Sequence, residues 1–118
     1  MRLTRSLTLA ISLFLLAAGP GVGQDMTGTW LLTVELDVGT GDATFVLTQN
    51  DGAISGTYTG VLGELSVSGT IEGDSVQWSF DSEAGEIRFK GTVDGSTIQG
   101  TCVYGQLGSG NFEGHKRE

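Results

Sequence analysis

The chain has 118 residues, of which 14 are Asp or Glu, six are Lys or Arg, 20 are Gly and one is Cys. Its formal charge of −8 repels phosphate groups and anionic lipids, so we expect no nucleic-acid partner and no binding to a membrane surface. A lone cysteine makes no internal disulfide, and the length allows one small domain.

Residues 1–23 have the pattern of an export signal. Arg2 and Arg5 precede an apolar stretch over 7–18, and the small residues Gly21 and Gly23 then suit a signal peptidase. The stretch has about 12 residues where a bilayer crossing needs about 20, which disfavours an uncleaved membrane anchor. We predict a signal peptide over 1–23 and a periplasmic or secreted domain over 24–118. Without Arg2 and Arg5 the formal charge is −10.

Apolar and polar residues alternate through the rest of the chain, which is typical of half-buried β-strands. The alternation predicts eight strands, over 28–38, 43–49, 53–61, 65–72, 75–81, 86–93, 96–104 and 109–117. Turn-forming residues separate them, beginning with Gly39–Asp42, and no connection is long enough for a crossover helix. The predicted sheet is therefore antiparallel throughout.

The aromatic residues of the domain identify the buried face of that sheet. All of them lie on the apolar parity of their strands: Trp30, Phe45, Tyr58, Trp78, Phe80, Phe89, Tyr104 and Phe112. With no helix to cover this face, the sheet must close on itself, and a closed barrel removes the free edges that a two-sheet sandwich would keep. We predict an all-β, eight-stranded, up-and-down antiparallel barrel.

Glycines inside the strands support closure. Gly56, Gly69, Gly91 and Gly100 have inward parity, and each belongs to a Gly-Thr-apolar unit. A glycine at such a position permits sharp coiling of a strand, so we expect these four to mark the curved wall of the barrel.

Two segments carry a family resemblance. Gly28-Thr29-Trp30 and Asp51-Gly52-Ala53-Ile54-Ser55-Gly56-Thr57-Tyr58 resemble the start of the avidin and streptavidin family, and more widely the calycins, which include lipocalins. The chain also looks like a group of small exported bacterial proteins that have Gly-Thr-Trp near the start and end as Gly108-Ser109-Gly110-Asn111-Phe112 does. Calycins close with a basic residue over the tryptophan, so the resemblance implies that Lys116 covers Trp30. The alternative is a solvated lysine near the C-terminus.

The resemblance does not extend to biotin binding. Avidins have Asn two residues after the tryptophan and Ser two residues after the tyrosine, where this chain has Leu32 and Gly60. A pocket that recognises a ureido group through hydrogen bonds loses most of its affinity without those partners.

Residues for catalysis or metal binding are few. His115 is the only histidine and has outward parity, whereas Cys102 has inward parity and is expected to be a buried, inert thiol. The turn aspartates do not have the spacing of a calcium loop. We predict no enzyme activity, no metal and no cofactor.

Two functional hypotheses remain. In the first, the barrel binds a small apolar or aromatic ligand, which enters at the mouth opposite Trp30 and Lys116 and contacts some of Phe45, Tyr58, Trp78, Phe89 and Tyr104. In the second, side chains fill the barrel, and its surface binds another exported protein, for example as a protease inhibitor. The sequence does not indicate the oligomeric state.

Overall fold

The computed structural model describes residues 25–117, so the predicted signal peptide lies outside the described residues. Eight strands follow one another along the chain: β1 (Gly28–Leu36), β2 (Gly39–Asn50), β3 (Ala53–Gly60), β4 (Gly63–Glu72), β5 (Ser75–Ser82), β6 (Gly85–Asp94), β7 (Thr97–Tyr104) and β8 (Ser109–Lys116). Each strand pairs antiparallel with the next, and β8 pairs with β1. The predicted up-and-down barrel is confirmed.

The strands are staggered around the barrel. A path that starts at Gln49 and crosses from partner to partner around the wall returns to β2 at Gly39, a stagger of ten residues. Such a stagger tilts the strands by about 35–45° to the barrel axis, so inward side chains meet in oblique layers. Among residues 25–117, no helix has the length and apolarity that a membrane crossing requires.

The first hairpin differs from the sequence prediction. Its turn is Asp37–Val38, and the predicted connection Gly39–Asp42 belongs to β2. The glycines and the aspartate suggested a loop, but pairing with β1, from Leu36↔Gly39 to Thr33↔Asp42, holds this segment extended. Gly39 has a φ of 149°, which a residue with a side chain rarely adopts.

The interior contains every inward aromatic side chain that parity predicts. All eight are at most 5% exposed, and one apolar cluster joins them. The two most connected rings are Phe45 and Phe89, whose centroids are 5.1 Å apart. Phe45 also packs against Tyr58 at 5.4 Å, and Phe89 against Phe112 at 5.0 Å. Aromatic rings therefore form the middle of the barrel.

The inward glycines lie where neighbouring strands come closest. A Cβ built on Gly69 would lie 2.6 Å from Trp78 Cα, and one on Gly100 would lie 2.5 Å from Gly91 Cα. Gly56 has a similar contact with the backbone of β2. These distances are too short for any side chain, so the curvature of the wall depends on glycine at these positions.

Candidate functional site

The two ends of the barrel differ, and the end that contains the N-terminal segment is plugged. Met26 is fully buried there, and its carbonyl oxygen accepts a hydrogen bond of 3.0 Å from Trp30 Nε1. Lys116 Nζ donates to the Asp25 carbonyl oxygen at 2.9 Å and lies 5.4 Å from the centroid of the Trp30 ring. The Gln49 side chain accepts from the Met26 N–H at 2.8 Å. These contacts seal this end with protein atoms.

The opposite end, here called the mouth, has incomplete pairing between strands. The β2–β3 ladder begins only at Thr44↔Thr59, so residues 39–43 of β2 have β1 as their one ladder partner. The β4–β5 ladder ends at Ser68↔Ser79, so residues 63–67 of β4 pair with β3 alone. The tip of the β3–β4 hairpin therefore has no strand beside it on the β5 side.

Apolar side chains surround the mouth. Three of them are exposed and belong to the connections at this end: Val38 at 72%, Val61 at 83% and Leu107 at 38%. Three more are half-buried against the core: Leu36, Leu62 and Leu65. Turns usually carry polar residues and glycine, so this apolar rim, defined by these six residues, is unusual for hairpin tips in water.

Two tyrosine hydroxyls lie below the rim. Tyr58 stacks on Phe80 with centroids 4.6 Å apart, and its hydroxyl oxygen accepts a long hydrogen bond of 3.3 Å from the Leu62 N–H. Tyr104 lies within hydrogen-bonding reach of the Tyr58 hydroxyl. Burial, and then the nearby Tyr58 hydroxyl, raise the pKa of Tyr104 above its ordinary value. The Tyr104 phenol is therefore neutral at physiological pH.

The five residues that the sequence suggested as ligand contacts fall into two groups. Phe45, Trp78 and Phe89 lie in mid-strand and pack against one another, with centroid distances of 5.0 to 5.4 Å. Tyr58 and Tyr104 lie near the mouth ends of β3 and β7. All five are at most 3% exposed. The first three form a packed floor, and the two tyrosines form the upper layer.

Sequence reasoning missed the rim and Phe80. Leu36, Leu65 and Phe80 have inward parity near strand ends, so their positions could have been found by asking which inward residues lie at one end of the barrel. Val61 and Leu62 occupy a two-residue turn, where alternation gives no information. The sequence signal that could have indicated the rim is an apolar turn next to an apolar residue at the end of a strand.

Reactive side chains are not gathered in the described part of the chain. His115 is exposed on β8. Cys102 is 2% exposed, and burial raises the pKa of its thiol from 9.0 to about 11. Within residues 25–117 no group of three His, Cys, Asp or Glu side chains could hold a metal ion. The Nε1 of Trp78 is buried with no hydrogen-bond partner among these residues.

No protein-family model matches the chain, and the comparison with curated proteins gives no match. The fold is similar to the solved structure of a de novo designed, fluorescence-activating beta barrel, with a TM-score of 0.60. The two sequences are 16% identical, and the match covers 78% of this chain and 94% of the designed one. At this identity the likeness concerns the fold alone.

Proposed function

We propose that this chain is an exported, non-catalytic binding protein that takes up a small apolar or aromatic ligand at its mouth. The observation that carries the proposal is the difference between the two ends. Met26, Trp30 and Lys116 plug one end, whereas the other presents the apolar rim beside unpaired strand segments. Apolar surface that a fold leaves uncovered is a common feature of binding sites.

Further support comes from the sequence and from the fold. Residues 1–23 have the pattern of a signal peptide, which favours a periplasmic or secreted domain. Gly28-Thr29-Trp30 resembles the opening of calycins, and Lys116 lies over Trp30 as that resemblance implies. The designed barrel of similar fold is described as fluorescence-activating. The inaccessible thiol of Cys102 and the isolated His115 support a non-catalytic role.

The packed floor limits how far a ligand could enter the barrel. Phe45, Trp78 and Phe89 fill the centre, so a ligand would lie above Tyr58 and Phe80, between them and the rim. It would displace the half-buried side chains of the rim and leave the floor in place.

Binding of N-phenyl-1-naphthylamine, a neutral probe that fluoresces in apolar surroundings, tests the proposal. Val61→Asp places a charge in the rim, and Val46→Asp places the same charge on the outer wall, where Val46 is 51% exposed. We expect Val61→Asp to weaken probe binding by about fivefold, because an apolar ligand then desolvates a carboxylate. Val46→Asp should bind as the wild type does. No binding by the wild type, or equal affinities of the two variants, would refute the mouth site.

A second function has a specific observation in its favour. Residues 39–42 of β2 are exposed and have no ladder partner on the β3 side, beside the turn that contains Val38. An extended segment of a partner protein could add to this edge by main-chain hydrogen bonds, in the manner of β-augmentation. The Asp42 N–H faces away from β1, so proline at this position would block such pairing and leave the β1–β2 ladder in place. Loss of a co-purifying exported protein on Asp42→Pro, with probe binding retained, would favour this function.

A further inference from the structure

We propose that the ligand of the mouth is a neutral aromatic molecule that donates a hydroxyl or amine proton to the Tyr58 oxygen, in place of the Leu62 N–H. This inference rests on the proposed function and specifies its ligand. It follows from three features of the mouth: a weakly held hairpin tip, an acceptor beneath that tip, and the absence of cationic side chains around it.

The tip of the β3–β4 hairpin, residues 60–65, is the part of the mouth that can move most easily. Its β5 side has no ladder partner, because β4–β5 pairing stops at Ser68↔Ser79. The hydrogen bond from the Leu62 N–H to the Tyr58 hydroxyl is 3.3 Å long, beyond the usual length for such bonds. Outward movement of Val61 and Leu62 therefore breaks one weak hydrogen bond and uncovers the Tyr58–Phe80 stack.

That movement takes one of two donors away from the Tyr58 oxygen, because the Leu62 N–H leaves and only the Tyr104 hydroxyl stays within reach. A buried acceptor site that loses a donor is costly, so an incoming ligand gains affinity by donating a proton at this point. A planar ring above Tyr58 and Phe80 would continue their stack, whose planes are 25° apart. An aromatic ring with a hydroxyl or amine group satisfies both requirements, whereas a hydrocarbon satisfies only the second.

The charges around the mouth favour a neutral ligand over an anion. The basic residues among 25–117 are on the outer wall or at the plugged end: Arg88, Lys90, His115, Lys116 and Arg117. Arg88 is paired with Glu86 at 3.0 Å. An anionic amphiphile would bury its charge without a counter-charge, near the exposed carboxylates of Asp37, Glu64 and Glu83. Fatty-acid and aryl carboxylates are therefore disfavoured.

Four probes of similar size separate these requirements: 2-naphthol, 2-methoxynaphthalene, naphthalene and 2-naphthoate. Calorimetry with the folded domain should show 2-naphthol binding about fivefold more tightly than naphthalene, the gain of one neutral hydrogen bond. The methoxy compound, which accepts but does not donate, should bind like naphthalene, and 2-naphthoate should bind most weakly. Equal affinities for the hydroxy, methoxy and unsubstituted compounds would overturn this inference and leave the mouth site itself standing.

Tyr58→Phe removes the acceptor and keeps the ring. It should reduce the preference for 2-naphthol over naphthalene to less than about twofold, without changing the affinity for naphthalene. Val103→Thr, on the outer wall beside Tyr104, is the matched control and should keep the full preference. A full preference in Tyr58→Phe would overturn the inference. Failure of all four probes and of N-phenyl-1-naphthylamine to bind the wild type would overturn the proposed function as well.

Discussion

Replacing Gly100 with alanine should destabilise the barrel far more than replacing Gly41, although both are strand glycines of inward parity. A Cβ on Gly100 would lie 2.5 Å from Gly91 Cα and closer still to the Lys90 carbonyl oxygen. Ordinary contacts between carbons are about 3.5–4.0 Å, so β6 and β7 would have to separate by about 1 Å. Overpacking costs typically 1–3 kcal/mol, and a clash between two backbones belongs at the upper end, about 3 kcal/mol.

Gly41 is the matched control because a Cβ there meets nothing within 4 Å and its φ is compatible with alanine. Gly41→Ala should gain about 0.4–1 kcal/mol from the reduced entropy of the unfolded chain. Urea denaturation followed by far-ultraviolet circular dichroism gives both free energies of unfolding, and thermal melting should place Gly100→Ala at least about 12 °C below the wild type. Free energies of unfolding of the two variants within about 1 kcal/mol of each other would refute the curved-wall explanation.

Two further predictions concern buried polar groups. Burial raises the pKa of the Cys102 thiol from its ordinary 9.0 to about 11 in the barrel, so the folded protein keeps a proton that the unfolded chain loses. The stability of the fold therefore falls as pH rises above about 9. Between about pH 8 and about pH 10 the free energy of unfolding should fall by about 1 kcal/mol more in the wild type than in Cys102→Ala. Urea titrations that show an equal fall in both proteins would contradict this. Trp30 Nε1 donates a hydrogen bond to the Met26 carbonyl oxygen, whereas Trp78 Nε1 has no partner among residues 25–117. Trp30→Phe should therefore lower the free energy of unfolding by at least about 1 kcal/mol more than Trp78→Phe does. The same titrations measure this difference, and equal costs would show that the Met26 hydrogen bond contributes nothing.

The fold could be predicted because one physical constraint repeats along the chain. Residues such as Trp30, Phe45 and Phe89 alternate with polar neighbours, and a sheet with one apolar face and no helix must close on itself. The prediction of a loop at Gly39–Asp42 was wrong because it relied on composition. The residues of this segment are typical of loops, but pairing with β1 holds them in a strand.

The mouth could not be predicted in the same way. The β4–β5 ladder stops at Ser68↔Ser79, before it reaches the mouth. Where it stops depends on how the stagger of ten residues is divided among the eight strand pairs. Alternation within a single strand contains no information about that division. The Tyr58 hydroxyl is a second example. Parity places its ring inside, but its acceptor role depends on where the Leu62 N–H lies after the hairpin has formed.

Folding explains the floor of the barrel but not its rim. Phe45, Trp78 and Phe89 must be large and apolar, because the interior would otherwise contain a void. Val38 and Val61 have no such reason, since they are 72% and 83% exposed in two-residue turns, which usually carry polar residues or glycine. At the plugged end the turns contain only polar residues and glycine: Asp51-Gly52, Gly73-Asp74 and Gly95-Ser96. The apolar character of Val38 and Val61 is therefore independent of the fold, and it is the feature that a ligand-binding role explains.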